Sequence, residues 1–145
     1  MKISPAEIIF VDTSALIALV MRKDEHHAAA LEIMRALDEG KNSLVTTEFV
    51  LVELANALSK KNLRYKALTI IDTWASLSTF TVIWSSAELF DSTLKLYREM
   101  HDKDWSLTDC ASFVVMKDRD ISLAFTSDKH FEQAGFVRLL EILES

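Results

Sequence analysis

Four acidic residues lie where apolar segments end or along an apolar helix face, and together they could bind a metal ion. They are Asp12 in IIFVDTSALIALV, Glu53 in TTEFVLVELANAL, Asp109 in DKDWSLTDCASFVVM and Asp128 in ISLAFTSDKHF. A single acid of this kind is explained by helix capping, because aspartate accepts hydrogen bonds from the first turn of a helix. Four carboxylates at one end of a sheet would repel one another, and a divalent cation is the usual reason for tolerating that repulsion. The set therefore predicts a carboxylate metal site.

Asp12 directly follows an apolar run and precedes Thr13 and Ser14. Either hydroxyl could cap the helix that follows, so a charged residue is not required for capping at this point. We therefore favour a functional role for Asp12 over a purely structural one.

Glu53 is the most informative of the four when each acid is considered alone. It stands between Val52 and Leu54, one turn after Val50, in a segment that we predict to be helical. Burial of an isolated charge costs several kcal/mol or shifts the pKa of the group, so a carboxylate in this setting needs a reason. Asn56, one turn further on, could donate a hydrogen bond that orients the carboxylate of a metal ligand. The alternative is a partly exposed glutamate at the edge of the helix.

Asp109 and Asp128 have stronger structural alternatives. Ser106 with Asp109 three residues later resembles a capping box, in which both side chains bond backbone N–H groups at the start of a helix. Ser127 and Asp128 before a short helix are ordinary capping residues. Capping and metal binding both remain open for these two acids.

Other residues are weaker candidates for chemistry. The four histidines, at positions 26, 27, 101 and 130, lack the spacing of a zinc site, which argues against a histidine-based ribonuclease. Cys110 lies on an apolar helix face and is predicted to be core, as are Trp74 and Trp84. No glycine-rich phosphate loop is present, which argues against ATP-binding and dinucleotide-binding proteins.

The elements that must position the acids alternate along the chain. Predicted strands are Glu7–Val11, Leu44–Thr46, Thr79–Ile83, Ile121–Phe125 and an edge strand Phe136–Leu140. Predicted helices are Ala15–Met21, His26–Glu39, Thr47 to about Lys60, Leu63–Leu77, Ser86–Met100, Leu107–Asp118 and a short helix after Asp128. This alternation predicts an α/β fold with a mostly parallel sheet covered on both faces. In such sheets the functional site lies beyond the carboxyl ends of the strands, where Asp12 and Asp128 are placed.

Composition predicts one domain over residues 1–145. Half of the residues are apolar, and Gly (2) and Pro (1) are scarce, which is typical of a compact helical protein. The single cysteine suits a reducing, cytoplasmic compartment, and we expect no secretion signal and no membrane span. A net charge of −6 argues against binding nucleic acid by bulk electrostatics alone. An acidic enzyme on nucleic acid would need a local basic patch, for which Lys60, Lys61, Arg64 and Lys66 are candidates, or a partner chain.

Four segments resemble, in the same order, those of the PIN-domain nucleases, specifically the small VapC-like toxins of toxin–antitoxin pairs. The segments are FVDTSALIAL, TEFVLVELANAL, DWSLTDCASFVVM and AFTSDKHFEQAGF, and they span nearly the whole chain. The resemblance implies a three-layer α/β/α, Rossmann-like fold. It places the acidic positions of the family on Asp12, Glu53, Asp109 and Asp128, with Asn56 and the hydroxyls of Thr13 and Ser14 as orienting groups.

The same resemblance implies a function. It implies Mg²⁺ or Mn²⁺ and endonucleolytic cleavage of RNA that leaves 5′-phosphate and 3′-OH ends. Asp12 and Asp109 would be direct metal ligands, while Glu53 and Asp128 would bind a second metal, hold water or orient the nucleophile. The implied partners are a small antitoxin protein and a second copy of the chain in a homodimer.

Three other functions compete with this interpretation. A non-catalytic PIN-like binding or scaffold module would retain the acids without using them, and a housekeeping RNA-processing nuclease would use them without an antitoxin. Phosphatases of the haloacid dehalogenase type also place an aspartate after their first strand. They need a second aspartate two residues later, where this chain has Ser14.

Overall fold

A five-stranded parallel sheet forms the centre of the structure, a computed structural model that describes residues 2–144. Its strands are β1 (Ile9–Val11), β2 (Leu44–Thr47), β3 (Phe80–Ile83), β4 (Leu123–Phe125) and β5 (Val137–Arg138). The helices of the described chain are α1 (Thr13–Val20), α2 (His27–Glu39), α3 (Glu48–Ala57), α4 (Arg64–Ala75), α5 (Ala87–Glu99), α6 (Leu107–Asp118), α7 (Lys129–Gln133) and α8 (Leu139–Glu144). None of these helices has the length and apolar character needed to cross a membrane.

The strand order is β3-β2-β1-β4-β5, which confirms the predicted α/β fold. From β1 the chain first builds the sheet outward to β2 and β3, and then returns to β4 on the other side of β1. The sheet therefore reverses its order between β1 and β4, and the loops after these two strands open a crevice at the carboxyl end of the sheet. Val11 and Phe125, the last residues of β1 and β4, are register partners, so the residues that follow them are neighbours in space.

The centre of the sheet is the centre of the core. Ile9, Phe10 and Val11 of β1 are all fully buried. A strand in the middle of a parallel sheet is covered by helices on both faces, which is why β1 is uniformly apolar rather than alternating. Helix α1 packs against α2, α3 and α4, and α2 packs against α8. Helix α6 packs against α5 and α7 and also contacts α3.

Several helices begin at polar residues whose side chains cap the first turn. The side chain of Thr47 accepts a hydrogen bond from the N–H of Val50 at the start of α3, and that of Ser86 accepts one from Leu89 at the start of α5. The capping box predicted at Ser106 and Asp109 is present. These are short-range interactions, which is why the sequence predicts them well.

The bounds of two predicted elements and the predicted burial of one tryptophan differ from the structure. The helix after Thr47 ends at Ala57 rather than near Lys60. The last strand contains only Val137 and Arg138, because Leu139 and Leu140 begin a helix and are buried there. Trp74 is buried as predicted, whereas Trp84 is 65% exposed. A short apolar run does not distinguish a strand from a helix, and one tryptophan does not reveal which face of its segment is covered.

Candidate functional site

Asp12 lies at the carboxyl end of β1 and is nearly inaccessible, with 4% of its surface exposed. It is the N-cap residue of α1, yet its side chain makes no capping hydrogen bond. Its Oδ2 atom instead accepts hydrogen bonds from the hydroxyls of Thr126, at 2.7 Å, and Ser14, at 3.0 Å. The carboxylate is therefore held by residues that follow two neighbouring strands.

A hydroxyl network joins the loop after β1 to the loop after β4. Thr126 and Ser14 lie 3.0 Å apart through their hydroxyl oxygens. The N–H of Ser127 donates to Ser14 Oγ, and the N–H of Asp128 donates to Thr126 Oγ1. Sequence reasoning included Ser14 and missed Thr126, although Thr126 follows β4 directly, just as Asp12 follows β1.

Burial raises the pKa of Asp12 to about 7. Desolvation is the largest cause and the negative charge of Asp109 adds to it, while the hydrogen bonds from Thr126, Ser14 and the Thr13 backbone act in the opposite direction. The hydrogen bonds therefore compensate only part of the free-energy cost of ionising the buried Asp12. A cation next to this carboxylate would favour its charged form.

Asp109 is the third residue of α6 and is also buried, with 6% of its surface exposed. Its Oδ2 atom accepts a hydrogen bond from the N–H of Ser106 at 3.1 Å. The same oxygen lies 2.9 Å from Nδ1 of His130. Capping thus explains part of the position of Asp109 and does not exclude metal binding, because the other carboxylate oxygen is not part of the capping box.

Asp128 and His130 complete a compact group with Asp109. Asp128 caps α7 by accepting the N–H of His130 on Oδ1 at 2.9 Å, and Nδ1 of His130 lies 3.4 Å from that same oxygen. One potential ligand atom from each of Asp109, Asp128 and His130 lies within 4.8 Å of the others. The spacing of the histidines along the sequence gave no sign of this role for His130, because its partner Asp109 is 21 positions away.

The charges around His130 raise the pKa of its imidazole. Partial burial lowers it, but the hydrogen bond to Asp109 and the negative charges of Asp128, Asp109 and Asp104 outweigh that effect. Asp104, in the loop before α6, is exposed and contributes only through its charge.

The donor set fits a divalent cation. Two carboxylates and an imidazole within 4.8 Å of one another are ligand types that bind divalent metals. Asp12 adds a further carboxylate close enough for the charge of Asp109 to affect its pKa.

Glu53 lies apart from that group and differs from its prediction. It is half-buried on α3 rather than enclosed in the core, and the side chain of Val52 beside it is 53% exposed. Asn56 is exposed, and within residues 2–144 it makes no hydrogen bond to Glu53. Glu53 does line an open groove of about 420 Å³ that also contacts Thr108, the residue before Asp109. Glu53 therefore borders the site across an open groove.

The structure also shows the burial and hydrogen bonding of three other residues that the sequence singled out. Thr13 is buried, and its hydroxyl has no hydrogen-bond partner in the described chain. Burial and the charge of Asp109 raise the pKa of Cys110 to about 11, so its thiol stays neutral and is a core group. Lys66 of the predicted basic patch donates to the carbonyl of Val20 at 3.1 Å, which leaves Lys60, Lys61 and Arg64 as its exposed cations.

Comparison with known proteins identifies the family. Residues 9–137 match the model of the PIN domain, and the chain belongs to the PIN domain family, whose members are nucleases. The matched segment contains all four predicted acids and His130. A search of curated protein sequences gave no significant match.

Solved structures of VapC toxins are similar to this chain. VapC20 of Mycobacterium tuberculosis, described as a toxin that cleaves the sarcin–ricin loop, is 28% identical, with a TM-score of 0.77 over 89% of this chain and 96% of that chain. VapBC2 of Rickettsia felis, bound to a DNA fragment from its promoter, is 17% identical, with a TM-score of 0.63 over 90% and 96%. DNA-bound VapBC of Salmonella typhimurium is 16% identical, with a TM-score of 0.64 over 91% and 96%. The last two likenesses establish the fold alone.

Proposed function

We propose that this protein is a metal-dependent endoribonuclease and the toxin of a toxin–antitoxin pair. It would hydrolyse RNA phosphodiesters to 5′-phosphate and 3′-OH ends with Mg²⁺ or Mn²⁺. The observation that carries this proposal is the group of Asp109, Asp128 and His130 beside the buried Asp12, at the carboxyl end of a parallel sheet. Among residues 2–144, no other group of histidine, cysteine, aspartate or glutamate side chains is close enough to hold a metal ion. This group is therefore the candidate site for metal-dependent cleavage.

Each acid has a role that follows from its environment. Asp12 and Asp109 would be metal ligands, because both are buried and held by hydrogen bonds in positions that do not need rearrangement. Asp128 would bind through the carboxylate that also caps α7. A bound divalent cation would offset the negative charge of the site, bind a substrate phosphate oxygen and activate a water for attack on phosphorus.

The remaining predicted residues would act around that centre. Glu53, across the open groove, would hold water or orient the nucleophile once substrate is bound. Ser14 and Thr126 would fix the carboxylate of Asp12, and Thr13 would contribute its backbone N–H to the same carboxylate. Asn56, which is exposed and lines the same groove as Glu53, would orient the carboxylate of Glu53.

RNA is the proposed substrate for two reasons. VapC20, which is 28% identical over most of both chains, is described as a toxin that cleaves the sarcin–ricin loop. In addition, a cleft of about 580 Å³ next to the site is lined by Arg98, by Lys103, which also pairs with Asp102, by the half-exposed Tyr97 and by Asp104. The cleft reaches Ser106, whose N–H holds Asp109. Cations for phosphates and an aromatic ring for a base are the features that bind single-stranded nucleic acid.

The test is a cleavage assay on total RNA and intact ribosomes with Mg²⁺ or Mn²⁺. Wild type is compared with Asp12→Asn, with EDTA and with an Asp91→Asn control, an exposed acid on α5. We expect fragments with 5′-phosphate ends from wild type and from the control, and none from Asp12→Asn or with EDTA. Absence of cleavage by partner-free wild type, together with absence of metal binding, would favour the non-catalytic binding module.

An antitoxin is the proposed protein partner, and an apolar surface supports it. Helices α1, α3 and α4 and strand β3 enclose an apolar cavity bordered by Trp74 and Trp84. Trp84 is 65% exposed, and Tyr65 and Leu68 on α4 are about 60% exposed. Exposed apolar groups of this size mark sites where an amphipathic segment can bind.

Antitoxin binding is tested by co-purification with the product of a neighbouring short reading frame. We expect Trp84→Ser and Leu68→Ser to weaken the complex while RNA cleavage by the free protein stays within about twofold of wild type. A complex unaffected by both substitutions would place the partner elsewhere. Cleavage that persists with no neighbouring partner in the genome would favour a housekeeping nuclease.

A homodimer is the proposed assembly, in the cytoplasm. Val52 on α3 and Phe90 on α5 are 53% and 39% exposed and line the same groove as Glu53, which leaves an apolar surface next to the site. Sedimentation equilibrium would test the assembly, with Phe90→Glu expected to give a monomer. A wild-type monomer at micromolar concentration would contradict the dimer.

A further inference from the structure

The inference concerns His130, the member of the metal-binding group that is not a carboxylate. We propose that His130 supplies a nitrogen ligand to the metal, so that this site selects Mn²⁺ and related first-row ions over Mg²⁺. This deepens the proposed nuclease function and rests on it, because it concerns the metal of the same site.

The position of His130 is the first argument. Its Nδ1 atom lies 2.9 Å from Asp109 Oδ2 and 3.4 Å from Asp128 Oδ1, so the imidazole contacts both carboxylates at once. The three side chains bring one potential ligand atom each within 4.8 Å of the others. Such spacing allows all three to bind one ion after a small rotation of the His130 side chain, since metal–ligand distances of about 2 Å place ligands 3–4 Å apart.

The rigidity of α7 is the second argument. Phe131, next to His130, is fully buried, and its ring packs edge-on against Phe113 of α6 with centroids 5.0 Å apart. Trp105, just before α6, donates from its indole nitrogen to Gln133 at the end of α7. Helix α6 also carries Asp109. His130 and Asp109 are therefore fixed to two elements that pack directly against each other.

The chemistry of the ligands decides which metal is preferred. Mg²⁺ is small and hard, keeps several waters and binds almost entirely through oxygen. First-row transition ions accept an imidazole nitrogen readily, with affinities that rise from Mn²⁺ towards Cu²⁺. A site with two carboxylates and one imidazole therefore adds affinity for Mn²⁺ that it does not add for Mg²⁺.

His130 could alternatively serve only as a hydrogen-bond donor that positions Asp109. The two roles make different predictions. Loss of a positioning donor would weaken Mg²⁺ and Mn²⁺ binding to a similar extent, because both ions use the same carboxylate. Loss of a nitrogen ligand would weaken Mn²⁺ binding selectively.

The experiment uses Mn²⁺ alone and Mg²⁺ alone with the full, RNA-free chain. Binding constants come from titration calorimetry and from the loss of the free Mn²⁺ signal in electron paramagnetic resonance. Pulsed resonance on the Mn²⁺ complex then reports whether a nitrogen nucleus is directly bound. The variants are His130→Ala, His130→Gln, which keeps a donor for Asp109, and His101→Ala as the control, because His101 is exposed and outside the group.

We expect a nitrogen coupling in wild type and in His101→Ala that is lost in both His130 variants. We also expect both His130 variants to bind Mn²⁺ at least tenfold more weakly and Mg²⁺ within about threefold of wild type. The wild-type spectrum decides the question even if His130→Ala fails to fold. A Mn²⁺ complex without nitrogen coupling, or Mn²⁺ affinity restored by His130→Gln, would overturn the inference and leave the nuclease proposal intact. Failure of wild type to bind either ion would overturn both.

Discussion

Two buried acids, Asp12 after β1 and Asp109 on α6, and the acid on α3 differ in how firmly the protein holds them. Asp12 and Asp109 are buried and accept hydrogen bonds from residues on separate loops and helices. Glu53 is half-buried, faces an open groove and makes no hydrogen bond to its neighbour Asn56. The buried acids are therefore positioned before any ligand arrives, whereas Glu53 can be positioned only by what binds in the groove. The difference separates residues that would bind metal from one that would act on bound water or substrate.

The largest expected effect is on the buried acids. Asp109→Asn should lower RNA cleavage by roughly a thousandfold, because loss of a charged metal ligand removes several kcal/mol of transition-state stabilisation. Single-turnover cleavage with Mn²⁺ measures it, and calorimetry should show weakened Mn²⁺ binding in the same variant. Cleavage within tenfold of wild type would place the reaction outside this cluster.

The second prediction concerns stability without metal. Burial raises the pKa of Asp12 from 3.8 to about 7, so the folded protein binds a proton more tightly than the unfolded chain. The free energy of unfolding of wild type should therefore fall as the pH rises from about 4 to about 7, by roughly 4 kcal/mol at most, and level off above that. Asp12→Asn removes this dependence, so the variant should be more stable than wild type at pH 8 and nearly equal at pH 4.

Urea unfolding in EDTA at several pH values measures the effect. Glu53→Gln is the matched control, because a substitution at its half-exposed position should change stability by less than about 0.5 kcal/mol. A wild-type protein that is as stable as Asp12→Asn at pH 8 would contradict the assigned cost of burying this carboxylate.

The third prediction tests the hydroxyl network that holds the carboxylate of Asp12. Thr126→Val removes the donor to Asp12 Oδ2 and should lower the free energy of unfolding by about 2 kcal/mol at pH 8. The loss should be smaller at pH 5, where Asp12 is neutral. Thr46→Val is the comparison, because Thr46 is equally buried and donates to the neutral carbonyl of Val11, so its loss should not depend on pH. Equal pH profiles for both variants would show that the charge of Asp12 plays no part.

The smallest expected effect is at the groove. Glu53→Gln should lower RNA cleavage about tenfold while Mn²⁺ binding stays within about threefold of wild type, since Glu53 lies outside the compact metal group. Asn56→Ala should change cleavage by less than about twofold. A loss of metal binding in Glu53→Gln would remove the distinction between the two regions.

The sequence by itself determined the alternation of strands and helices, the helix starts near Thr47 and Ser86, the capping box at Ser106, and the positions of Asp12 and Asp128 after strands. These features depend on local periodicity and on hydrogen bonds between residues a few positions apart, which can be read along the chain. The order of the strands was not among these predictions and came from the tertiary structure.

Only the tertiary structure decided which side chains meet. Thr126 reaches Asp12 from 114 positions away, and His130 reaches Asp109 from 21 positions away. The exposure of Trp84 and Glu53 likewise depends on which elements cover them. Long-range contacts of this kind come from the packing of β1 against β4 and of α6 against α7, and no periodicity or spacing in the sequence encodes them directly.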